Sequence, residues 1–108
     1  MTDKDIIRNQ LQTLLEIVLE TNGYEARKQD ETGNMPTMFM EYSGHVNLLK
    51  ITIHPDGWYR NADGKLLLET YLDKPLEAEE IEYVEAMCSK YLNKEKEPSA
   101  AIDDSNSQ

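Results

Sequence analysis

The apolar residues of this chain change their spacing twice, and that switch constrains the fold more than any other feature. They recur at three- to four-residue intervals from Ile7 to Val18, at two-residue intervals through much of Tyr24 to Leu72, and at three- to four-residue intervals again from Ile81 to Leu92. Intervals of 3.6 residues place side chains on one face of a helix, and intervals of two place them on one face of a strand. The pattern predicts an α+β domain in the order helix, strands, helix. A chain of 108 residues supports one core of ordinary size, so the expected organisation is a single domain over residues 1–94 with a flexible polar tail over 95–108.

The first helix is expected over residues 3–22. Thr2, with Asp5 three residues on, has the form of a capping box, and Ile7, Leu11, Leu14, Leu15 and Val18 make the apolar stripe. Asn22 and Gly23 supply the stop, because glycine readily takes the left-handed conformation that closes a helix. A second helix is expected over 76–93, with Pro75 just ahead of it and Ile81, Val84, Cys88, Tyr91 and Leu92 on one face. Its first half is acidic and its end basic, the polarity that the helix dipole favours.

Between the helices, glycines and prolines punctuate short runs, and five strands are expected at 24–29, 37–43, 45–54, 57–61 and 65–72. The turns fall at Asp30-Glu31-Thr32-Gly33-Asn34, Ser43-Gly44, Pro55-Asp56-Gly57 and Ala62-Asp63-Gly64, and Pro55 suits the second position of a type I turn. Connections this short join antiparallel neighbours, so the strands form a meander. All five glycines sit at element ends, and none stands in a phosphate-binding arrangement with lysine and a hydroxyl residue.

The chain carries 21 acidic and 11 basic residues, a net charge of −10. Nucleic acid and anionic membrane surfaces would repel it, whereas a basic protein would be attracted. No apolar run approaches the ~20 residues of a membrane helix, and no secretory signal pattern opens the chain. A single cysteine and no glycosylation sequon fit a reducing compartment, and a cytoplasmic location is expected.

The residues that carry chemistry do not converge. His45 and His54 lie nine positions apart in one expected strand, roughly 30 Å at ~3.3 Å per residue, and cannot share a metal ion. Cys88 falls late in its helix on the apolar face, where a thiol is packing and not a nucleophile. Glu41, Asp56, Glu69 and Asp73 stand on strands or turns with no reason to meet. No catalytic residue, metal or cofactor is expected.

The sheet is more informative. Strict alternation puts Leu49, Ile51 and Ile53 on one face of the third strand and Leu66, Leu68 and Leu72 on one face of the fifth, rows that meet the helices. The opposite parity carries Leu48, Leu67 and Tyr71, joined by Trp58 or Tyr59 and by either Phe39 or the set Met38, Met40 and Tyr42. With both helices on one face, this second row is an exposed contact surface; with one helix on each face, both rows are core. The candidate partner-binding residues are therefore Trp58, Tyr59, Leu67, Tyr71, Met38 and Met40.

The expected function is a small non-enzymatic protein-binding module, an adaptor, chaperone-like protein or inhibitor, acting through an open sheet face and an acidic surface. Its expected partner is another protein, a basic one or a second copy of the chain, with no direct contact to nucleic acid or membrane. The alternative is an acidic mimic of nucleic acid that blocks a DNA- or RNA-binding protein, of the kind a phage or mobile element encodes. Against that alternative, residues 37–75 carry five acids and four bases, so the excess charge lies in the helices and the tail.

Overall fold

The computed structural model describes residues 1–59 and 63–96. Helix α1 spans Asp3–Thr21, and its capping box is complete: the Thr2 hydroxyl accepts from the Asp5 N–H, and the Asp5 carboxylate accepts from the Thr2 N–H. A one-turn helix α2, Gln29–Thr32, is followed by strands β1 (Thr37–Ser43), β2 (Leu48–His54) and β3 (Lys65–Tyr71), and helix α3 (Ala78–Lys96) closes the described chain. Among the described residues the sheet has three strands in the order β1-β2-β3, antiparallel throughout.

Among the described residues three strands replace the expected five, one lost to local backbone geometry and one to strand pairing. Residues 24–29 do not extend because Gly23 and Tyr24 both take left-handed backbone conformations, with φ of 70° and 56°. The chain then folds back under the end of α1, where the buried Arg27 guanidinium donates to the Thr21 carbonyl at 3.0 Å and pairs with Glu25 at 2.7 Å. Residues 57–59 form no strand because β3 pairs directly with β2, taking the edge a fourth strand would need. Positions 60–61 of that expected strand lie outside the described residues, as do positions 97–108 of the expected tail. The turn into this segment is as expected: the Gly57 N–H donates to the His54 carbonyl across Pro55 and Asp56.

Both helices cover the same face of the sheet. Along the register, Met38 faces Ile53, Met40 faces Ile51 and Tyr42 faces Leu49, and this is the face that meets α1 and α3. Leu14 and Val18 from α1, Val84 and Cys88 from α3, and Leu49, Ile51, Ile53 and Leu68 from the sheet are buried in one cluster. Burial of apolar area at this interface is the main force holding the layers together.

The fifth-strand parity expected from alternation is corrected by a bulge. Ile51 faces Leu68 but Thr52 faces Leu66, so Leu67 is an extra residue in β3. Leu67 and Leu68 both enter the core, and Leu66 turns to the other face. Leu67 is 7 % exposed and Leu66 is 49 % exposed, the reverse of what strict alternation requires.

Candidate interaction face

The helix-free side of the sheet is built from three cross-strand rows. Phe39, Thr52 and Leu66 form the first, Glu41, Lys50 and Glu69 the second, and Ser43, Leu48 and Tyr71 the third. The outer rows carry the apolar and aromatic side chains Phe39, Leu66, Leu48 and Tyr71 beside Thr52 and Ser43, with Phe39, Leu66 and Tyr71 all exposed. The middle row alternates in charge, an arrangement that stabilises neighbours across an antiparallel pair. Lys50 Nζ lies 4.0 Å from a Glu69 carboxylate oxygen, while Glu41 makes no ion pair among the described residues.

One end of this face is walled by the segment after β2. The exposed Trp58 ring sits 6.5 Å from Phe39 at an interplanar angle of 60°, and Phe39 stands edge-on to His54 at 5.4 Å. Edge-to-face geometry of this kind is the favoured contact between aromatic rings. Phe39, Glu41, Thr52, His54 and Trp58 line a shallow pocket of about 220 Å³. His54 is the most enclosed of the five at 9 % exposure, and its Nδ1 is buried with no hydrogen-bond partner among the described residues. The backbone at Gly64 crosses close above it: a Cβ there would stand 2.8 Å from the imidazole and 2.9 Å from the Thr52 methyl. A side chain at that position would have to displace the imidazole or the Thr52 methyl.

Of the residues singled out in the sequence, Trp58 and Tyr59 are both half-exposed, Trp58 stands beside this face against Phe39, and Tyr71 is on it. Trp58 and Tyr59 also border a larger concavity of about 490 Å³ with Arg27, Lys28 and Asp30. Leu67 and Met38 lie in the core, and Met40 is half-buried on the helix side, where it lines a groove of about 410 Å³ with Leu11, Tyr42, Leu49 and Leu72. The structure selects Phe39 over the set Met38, Met40 and Tyr42 for the helix-free side. Leu66 and Glu41 were not among the residues singled out for binding; three consecutive leucines in one strand leave open which of them is exposed, and only the pairing with Thr52 and Ile51 decides it.

His45 lies in the turn between β1 and β2 and His54 ends β2. Among the described residues, no three His, Cys, Asp or Glu side chains are grouped so as to hold a metal ion, and no helix is long and apolar enough to cross a membrane. Cys88 is buried, its Sγ 3.3 Å from the Met38 sulfur. Burial pushes its thiol pKa up from the ordinary value, a hydrogen bond with Thr21 opposes the shift, and the Glu85 carboxylate adds to it. That environment disfavours the thiolate needed for nucleophilic chemistry.

No protein-family model matches the chain, no curated protein matches it, and no solved structure matches it.

Proposed function

We propose that this chain is a protein-binding module, without catalysis of its own, that docks a basic partner protein on the helix-free face of its sheet. The observation that carries this reading is the exposure of Phe39, Leu66, Tyr71 and Trp58 on one side of a sheet whose other side holds both helices. Aromatic and aliphatic side chains grouped on a surface gain free energy when a partner removes them from water, and aromatic residues dominate such interfaces. The charged middle row fixes how a partner aligns, because a misaligned partner would leave Glu41 or Glu69 facing like charge. The net charge of −10 accelerates encounter with a basic protein and opposes approach of a second copy.

Photo-crosslinking in the native cell tests the reading. With p-benzoylphenylalanine incorporated in place of Leu66 or of Tyr71, irradiation should give an adduct to a basic protein; incorporation in place of Tyr83, exposed on α3, should not. Equal labelling from all three positions, or none from the sheet face, would overturn it. An adduct of twice the chain's mass would identify a second copy and overturn the basic partner.

A further inference from the structure

We propose that the pocket lined by Phe39, Glu41 and Trp58 receives an arginine side chain of the docked partner, an inference that rests on the sheet face being the docking surface. Two features of the pocket match a guanidinium. Two of its lining residues are aromatic, Phe39 and Trp58, which touch each other edge to face at 6.5 Å and 60° and are both partly exposed, and the negative face of such a ring attracts a weakly hydrated planar cation. Its rim carries the Glu41 carboxylate, which has no ion pair among the described residues because the neighbouring Lys50 ammonium lies toward Glu69.

A guanidinium is a fork of N–H donors with no acceptor, so it complements a site that offers a carboxylate and aromatic faces. A pocket of about 220 Å³ is of a size for one side-chain head group and too small for a folded element. The chain's acidic balance favours a cationic occupant over an anionic one at long range as well. A neutral side chain of the same shape would gain neither the ion pair nor the cation–π attraction.

Trp58 is the only tryptophan and borders both this pocket and the concavity beside Arg27, so its emission reports binding and Glu41, which lines this pocket and not the other, assigns the place. The probe is a capped heptapeptide, Gly-Ser-Leu-Arg-Leu-Ser-Gly, titrated into the full chain and compared with the same peptide carrying citrulline, the uncharged isostere, in the central position. The arginine peptide should change the emission saturably, and citrulline should weaken binding by about tenfold or more, as should Glu41→Gln in the protein. Glu82→Gln, on the exposed side of α3, should leave binding unchanged within about twofold. Equal binding of the citrulline peptide, no effect of Glu41→Gln, no saturable response, or an equal loss from Glu82→Gln would each overturn the arginine pocket. Crosslinks from Leu66 and Tyr71 that persist alongside such a result would leave the docking face standing; absence of those crosslinks would remove both.

Discussion

The side-chain amide of Gln10, midway along α1, holds the backbone of Leu76 from both sides: its Nε2 donates to the Leu76 carbonyl at 3.0 Å, and its Oε1 accepts from the Leu76 N–H at 2.9 Å. The contact spans 66 residues of sequence and fixes where the chain enters α3, two residues before the helix begins. Leu76 itself is buried, so both backbone groups would lose access to water if the amide were removed. Gln10→Ala should therefore cost about 1–3 kcal/mol in urea unfolding, and Gln10→Glu, which keeps only the acceptor, should cost part of that. A loss below about 0.5 kcal/mol for Gln10→Ala would show that water replaces the amide.

Asn22 does the same for the sheet. Past the end of α1, its Oδ1 accepts from the Met38 N–H at 2.8 Å and its Nδ2 donates to the Met38 carbonyl at 3.1 Å. The amide thus stands where a fourth strand would pair with the outer edge of β1, one way in which a sheet edge is protected. Asn22→Ala should lower stability by about 1–2 kcal/mol and speed hydrogen exchange at the Met38 amide more than at Ile51 in the central strand. Unchanged protection at Met38 would refute the role.

The bulge in β3 gives adjacent leucines opposite roles. Leu67→Ala removes buried side-chain volume and should destabilise the fold by about 2–5 kcal/mol, whereas Leu66→Ala should fall within about 0.5–1 kcal/mol of the parent in the same denaturant titration. The reverse ranking would restore strict alternation and place Leu66 under the helices.

The thiol of Cys88 ties stability to alkaline pH. Burial raises its pKa in the folded state, so over the range in which the unfolded thiol has ionised, the folded chain still holds the proton. Stability from this group is complete below the ordinary thiol range and declines as pH rises through the folded value. Between about pH 8 and pH 10, unfolding free energy should therefore fall more steeply for the parent than for Cys88→Ala, even though the variant starts lower because it loses buried volume. Parallel curves would show that the thiol does not contribute.

Local physics was enough for the helices and for the meander's direction of pairing. The capping box of Thr2 and Asp5, the stop at Asn22 and Gly23, and the buried stripe of Leu14, Val18, Val84 and Cys88 follow from the 3.6-residue interval and from backbone preferences that act within a few residues. The choice of face for both helices, the pairing of β3 with β2 and the membership of the helix-free face were decided by contacts far apart in sequence, and the loss of the first expected strand by a shorter-range contact. Tyr24 to Gln29 had no helical spacing and was open to a strand, but Arg27 reaching back to the Thr21 carbonyl draws it under α1. Leu66, Leu67 and Leu68 are alike to any pattern of alternation, and only pairing with Thr52 and Ile51 of β2 determines which of them is the extra residue. Phe39, Glu41, His54 and Trp58 converge for the same reason, since the interval between them in sequence carries no record of the strand register or of the turn at Gly57 that brings the tryptophan across the sheet.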